Sequence, residues 1–179
     1  MPATTRVARA CALALAGLGL TASTLTALPA TAATGDDREA STTTTTTTAR
    51  TTARRVSARV VGAKDIAMRQ RGDAYAYGAA GPHRFDCSGL IYYSFRRAGF
   101  SVPRTSGAQA GHTRRIAKKD MRAGDLMFFH GSGGVYHAAI FLKWSHGHAV
   151  MVHSPGSGQR VRVAVPWTSS WFGGTLRRR

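Results

Sequence analysis

The chain has 179 residues, with 25 lysines and arginines against eight acidic residues and a net charge of +17. A surface this basic suits polyanions and disfavours cationic partners. Two cysteines cannot build a disulfide framework, and a single glutamate, Glu39, makes a glycosidase with paired carboxylates across its cleft a poor fit.

Residues 1–32 read as a secretory signal peptide. Arg6 and Arg9 form a positive start, an apolar run follows from about Cys11 to Leu20, and Ala30-Thr31-Ala32 offers the small residues of a cleavage site. The apolar core is too short to span a bilayer, so a membrane-spanning anchor is not expected. A lipid-bearing cysteine would follow the apolar core, whereas Cys11 precedes it. Loss of the signal then leaves Cys87 as the only cysteine, and 23 basic residues against eight acidic ones, a net +15. The expected location is secreted or at the cell wall. Such a charge could serve anionic wall polymers, lipid head groups or plain solubility.

Residues 33–55 contain "STTTTTTTARTTARR", a threonine tract with too few apolar side chains to bury a core. They are expected to be a disordered linker. One domain over 56–179 follows. Residues 56–71 carry Val60, Val61, Ala63, Ile66, Ala67 and Met68 at helical spacing. The glycines and proline of "GDAYAYGAAGPHRF" predict a loop. Asp86 can cap a helix starting at Cys87. Leu90, Ser94 and Ala98 line one side of that helix, Ile91 and Phe95 the next, and Gly99 is placed to end it.

After "SVPRTS" and a basic stretch come four strand candidates. "DLMFFH" is short and apolar. "VYHAAIFL" sets Val135, His137, Ala139 and Phe141 on one face, and "AVMVH" sets Ala149, Met151 and His153 on one face. "RVRVAV" puts Val161, Val163 and Val165 inward, with Arg160 and Arg162 outward. The terminal "RRR" reads as a solvated tail. Helices followed by an antiparallel sheet predict an α+β domain.

An unpaired cysteine in an exported protein is a crosslinker, an inert buried residue or a reactive thiol. Cys87 would stand in the first helical turn, where free N–H groups and the helix dipole favour an anion and lower the thiol pKa. The same N–H groups could hold an oxyanion. A thiol nucleophile needs a base and a group to orient it. His137 supplies an imidazole on an otherwise apolar strand face. It is either a core histidine bonded to a carbonyl or that base. His153, of matching parity on the next strand, could orient it. His146 and His148 fall in the connection "KWSHGH" and read as solvated loop residues.

These pieces, "YAYGAAGPHRFDCSGL", "PRTS", "AGDLMFFH", "YHAAIFL" and "MVHSP" in that order, resemble the NlpC/p60 family of cell-wall peptidases from about Ala74 to Val165. The resemblance implies a papain-like fold, helices with the nucleophile at a helix start packed on an antiparallel sheet. It implies a triad of Cys87 as nucleophile, His137 as base and His153 as the third polar residue. Tyr75 matches an upstream tyrosine near the nucleophile, or else is a packing aromatic. Asp86 and Ser88 flank the nucleophile, where such residues bind a peptide's amine or backbone in some members; Asp86 also caps the helix. Arg104 would meet a substrate carboxylate or pack at the cleft edge.

Two departures stand out: Ala74 replaces a common proline, and the His137–His153 connection is longer than usual. That connection leaves His148 as the rival orienter. No separate wall-binding module is read in the chain.

The resemblance further implies hydrolysis of peptidoglycan stem peptides, typically between γ-D-glutamate and the diamino acid, by a monomer needing no metal or organic cofactor. Its rivals are a CHAP-type amidase or endopeptidase on another bond of the same polymer, and a non-catalytic basic wall-binding protein. A metallohydrolase is poorly supported, since no H-E-x-x-H spacing appears. Nucleic acid is not an expected partner, because aromatics are not interleaved with the basic residues.

Overall fold

In the computed structural model, residues 38–177 are described, with side chains from Thr45 onward. The expected signal peptide, residues 1–32, lies outside them. The first element, α1 (Arg38–Arg69), starts well before the expected Val56. The threonine tract is therefore helical in the structure. Val60, Ala63 and Ala67, all fully buried, dock the second half of α1 on the core, while the side chains at 45–52 face solvent. Once a packed segment is helical, extending it upstream adds a hydrogen bond for each residue ordered and needs no new nucleus. The Thr51 hydroxyl adds its own bond to the Thr47 carbonyl at 3.0 Å.

A two-residue parallel pair, β1 (Ala74–Tyr75) and β2 (Arg84–Phe85), brackets the glycine-rich loop. Next comes α2 (Cys87–Arg97), capped by Asp86 as the sequence predicts. Gly99 follows it at φ +83°, a left-handed stop. A short helix, α3 (Ser106–His112), was not predicted. Its residues carry no apolar stripe; only its Thr105 cap announces it. The strands are β3 (Arg114–Ile116), β4 (Leu126–Gly131), β5 (Gly134–Ser145), β6 (His148–His153), β7 (Arg162–Ala164) and β8 (Trp171–Thr175). They form one sheet in the order β3-β8-β4-β5-β6-β7, antiparallel throughout, so the α+β expectation holds.

Alternation divides the core between the two faces of the sheet. Leu126, Phe128, Ala138, Ile140 and Val152 pack with Val60, Phe85, Leu90, Ile91 and Phe95 from the helical layer. Met127, Phe129, Ala139, Phe141, Ala149, Met151 and Trp171 form the second cluster. Two expected faces need correction. Val161 is buried, but Val163, on the sheet's edge strand β7, and Val165, just beyond it, are 39% and 51% exposed. Val135 packs with the helical layer instead of joining His137. Across from Phe129 and His130 the register passes from His137 to Val135, skipping Tyr136. This bulge re-aims the strand beside the site.

The "KWSHGH" connection is mostly strand. Ser145 pairs with His148, and His146 (φ 50°) with Gly147 (φ 77°) makes a two-residue turn of the I′ kind. Strand β8 escaped the sequence reading because Gly173 and Gly174 look like punctuation. In the structure they permit close packing: a Cβ on Gly174 would lie 2.3 Å from Thr113 Oγ1.

Of the terminal arginines, the structure describes Arg177, which is no solvated tail. Arg177 is buried and ion-paired with buried Asp125, which also accepts from the Thr175 hydroxyl at 2.6 Å and the Arg122 N–H at 2.7 Å. Arg177 Nη2 donates to the Ala123 carbonyl at 2.6 Å. Arg177 thus clamps the segment after β8 to the turn that opens β4.

Gly89, two residues beyond the site cysteine, has no room for a side chain. Its Cβ would stand 2.0 Å from the Ala79 carbonyl oxygen. That oxygen already accepts from Asp86 N–H at 2.9 Å and Arg104 at 3.1 Å. Gly89→Ala is expected to cost about 1–3 kcal/mol, a fall of several degrees in a thermal melt. An unchanged melting temperature would show that the Ala79 loop gives way freely.

Candidate active site

Asp86 builds the floor of the site. Its Oδ1 accepts from Gly89 N–H (2.6 Å), the Ser88 hydroxyl (3.2 Å) and Arg104 Nη1 (3.0 Å), and its Oδ2 from Gly78 N–H (2.9 Å) and Arg104 Nη2 (2.6 Å). Arg104 Nη1 also donates to Ser88 Oγ at 3.0 Å. Gln109, on α3, donates to the Ser88 carbonyl at 2.9 Å and ties the next loop to α2. Burial opposes ionisation of Asp86. The hydrogen bonds and charge of Arg104, with the Gly89 and Ser88 bonds, outweigh it and hold the carboxyl below its usual range. Asp86, Ser88 and Arg104 all line the cleft, yet most of their hydrogen-bonding capacity is spent on one another. These bonds fix the N-terminus of α2.

The cleft above them encloses about 400 Å³ and is also lined by Tyr75, Tyr77, Cys87 and Tyr136. Burial, then the nearby Cys87 and Asp86, push the Tyr75 phenol up, so it stays protonated and able to donate. Tyr77 and Tyr136 are 92% and 54% exposed at the rim. Neither was singled out by sequence. Tyr136 had a faint signal as the neighbour of His137, but only the bulge turns it outward.

Cys87 is half-buried and unpaired, the one cysteine among the described residues. Burial pushes its thiol up, and the Asp86 charge adds to this. The amides of Ala138, Ser88 and Cys87 itself pull the other way without winning. The expected depressed thiol pKa is therefore corrected: desolvation exceeds the pull of the helix start. Ala138, whose amide reaches the thiol, directly follows His137, so the cysteine meets the histidine strand at its site residue.

His137, 5% exposed, turns Nε2 to within 3.0 Å of His153 Nδ1, with the two rings at 89°. His153 is 1% exposed, and its Nε2 has no hydrogen-bond partner among the described residues. Trp167 covers the pair, with ring centroids 5.2 Å from His137 and 5.8 Å from His153, and stacks on Phe129 at 4.5 Å. His148 sits at the other end of β6, beside the hairpin turn. Of the two histidines considered as orienter, His153 is the one in contact.

Burial, and then the His153 charge, lower the His137 pKa to about 3; burial and Arg162 lower that of His153 to about 4. Near neutral pH the site therefore holds a thiol and two neutral imidazoles. Both rings bind protons more weakly folded than unfolded, where the value is near 6.5. Their contribution to stability is complete above about pH 6.5 and is lost as pH falls through 4 and 3. The melting temperature is expected to drop from pH 6.5 to 4, ahead of carboxylate protonation. His153→Asn should flatten that slope, and an equal slope in the variant would rule out this origin.

Residues 72–178 match the model of the NlpC/P60 family. The "Probable endopeptidase p60" of Listeria monocytogenes is 41% identical over 92 residues, 51% of this chain and 18% of that protein. The chain thus spans less than a fifth of that relative's length. Among solved structures, the peptidoglycan hydrolase RipB of Mycobacterium tuberculosis superposes with a TM-score of 0.61 at 28% identity, covering 73% of this chain and 69% of that one. RipD of the same organism, described as a non-catalytic NlpC/p60 domain protein adapted to peptidoglycan binding, superposes at 0.55 with 26% identity, covering 66% and 97%. With the family model spanning more than half of its length, and the helices and antiparallel sheet arranged as in these domains, the chain belongs to the NlpC/P60 family.

Proposed function

We propose that this protein is a secreted cysteine endopeptidase that hydrolyses peptidoglycan stem peptides, at the bond between γ-D-glutamate and the diamino acid. One observation carries the reading. An unpaired cysteine at a helix start meets, through the Ala138 amide, the strand that presents His137, and His137 is bonded to His153 at 3.0 Å. A family relative named as a non-catalytic binder shows that membership alone does not decide between cutting and holding. The unpaired Cys87 and the His137–His153 bond support the cutting reading.

Because the resting thiol and imidazole are both neutral, the proton moves as the bond forms. His137 accepts the Cys87 proton on Nδ1 while the sulfur attacks the amide carbonyl. The cation so formed has a proton on Nε2, which it donates to His153 Nδ1. His153 must then carry its own proton on the buried Nε2, and so it selects both tautomer and orientation. The N–H groups of Cys87 and Ser88, which already favour negative charge at the sulfur, face the developing oxyanion. The imidazolium protonates the leaving amine, and water activated by the same ring then releases the acyl group. Tyr75 can donate to the bound peptide from the cleft wall. The tyrosine rim and a volume of about 400 Å³ suit a short peptide better than a folded protein.

Residues 1–32 would direct export. Among the described residues no helix is long and apolar enough to cross a membrane. The basic surface would add attraction to anionic wall polymers. The test is digestion of purified peptidoglycan with mass-spectrometric reading of the products. Release of fragments ending at γ-D-glutamate supports both the reaction and the bond. Cleavage at another bond would move the protein to the amidase or other endopeptidase reading. Salt-sensitive pelleting without cleavage would make it a binding protein.

A further inference from the structure

All three tryptophans of the chain line one groove of about 450 Å³, which shares no lining residue with the cysteine cleft. Trp144 and Trp167 are 41% and 56% exposed, and Trp171, buried, lies 6.4 Å behind Trp144 at 34°. Large apolar side chains gathered in a concave surface mark a binding site more often than chance exposure does. Beside Lys118, the polar side chains along the groove are the hydroxyls of Thr168 and Ser169 and the ring of His148. Thr168 Oγ1 accepts from Ser170 N–H, which leaves its own O–H free to donate.

Charge narrows the ligand. On a chain with a net +17, Lys118 is the only lysine or arginine among the described residues that line this groove, and no acid among them joins it. Its ammonium is already engaged, 2.8 Å from the Ser169 carbonyl and 4.2 Å above the Trp171 ring. A phosphate-bearing polymer would be better served almost anywhere else on this surface. Indole faces beside neutral donors and acceptors match a pyranose, whose C–H face stacks on an aromatic ring while its hydroxyls and N-acetyl amide take the polar contacts.

The groove is also joined to the reaction centre. Trp167 belongs to its wall and packs on both His137 and His153, and Tyr136, next in the chain to His137, lines the cysteine cleft. We propose that the groove binds an uncharged chain of N-acetylated amino sugars, stacked on Trp144 and Trp167, so that a peptide borne on that chain is led to Cys87. This rests on the proposed function for the peptide. It makes the intact glycan strand, rather than a free fragment, the preferred substrate.

The test is calorimetric titration with penta-N-acetylchitopentaose, run beside cleavage of a soluble, sugar-free stem peptide. Wild type is expected to bind the sugar with little salt dependence. Trp144→Ala should weaken binding at least tenfold and slow digestion of insoluble peptidoglycan, with the soluble peptide cut at the wild-type rate. Should Trp144→Ala fail to fold, Thr168→Val reads the same loss. Failure of wild type to bind while it still cuts the peptide overturns this inference and leaves the peptidase reading standing. So does sugar binding that is indifferent to both variants, or binding of a teichoic acid in its place. Sugar binding without any peptide cleavage supports the groove and defeats the peptidase reading instead.

Discussion

Cys87→Ala is expected to lower the rate of stem-peptide cleavage by about a thousandfold or more while leaving the melting temperature near that of wild type. The fold should survive because the thiol is half-buried and closes no disulfide. The helix start is held independently by Asp86, Arg104 and Gln109. His137→Ala should lose a similar amount, and the double variant little more, since a nucleophile and its base act as one unit. His153→Phe is expected to lower kcat with KM little changed, because it removes the bond that orients His137 and touches no substrate. Measurement of initial rates by chromatography of the products checks all four. Cleavage by Cys87→Ala to the same products at an undiminished rate would sink the thiol mechanism.

The largest expected effect on stability lies at the far end of the chain. Arg177→Met should cost about 3–5 kcal/mol, because it strands the Asp125 carboxylate in a site from which water is excluded. The Asp125 side chain is wholly buried and that of Arg177 is 5% exposed, so solvent cannot take over the missing charge. Urea unfolding should show a lower midpoint at an unchanged m value. The double variant Asp125→Leu with Arg177→Met should recover much of the loss, since removing both charges also removes their desolvation. A midpoint for Arg177→Met equal to wild type would mean that the pair adds nothing to the fold.

What the sequence determined alone was local chemistry. Asp86 caps α2 three residues before Gly89, and Gly99 ends that helix; both act within one turn, so spacing suffices to read them. The parity of His153 with Met151 and Ala149, and of His137 with Ala139 and Phe141, followed from the two-residue period of a strand. Those local signals, taken in order, carried the family resemblance and the α+β class.

The tertiary structure decided whatever depends on distant neighbours. Arg104 joins Asp86 across 18 residues, a contact that no local spacing rule reads. The Cys87 pKa rises because packing removes water, and no spacing rule measures that against the helix dipole. Val163 and Val165 alternate as a buried strand would, yet they stand on and just beyond the sheet's edge strand and are exposed. Residues 45–52 are exposed, and the tract borrows its helix from the packed turns after Val56. Trp144, Trp167 and Trp171 are unremarkable along the chain, and only the fold of the sheet gathers them into one groove. Periodicity reports which way a side chain points. Only packing determines what it meets there and how much water remains.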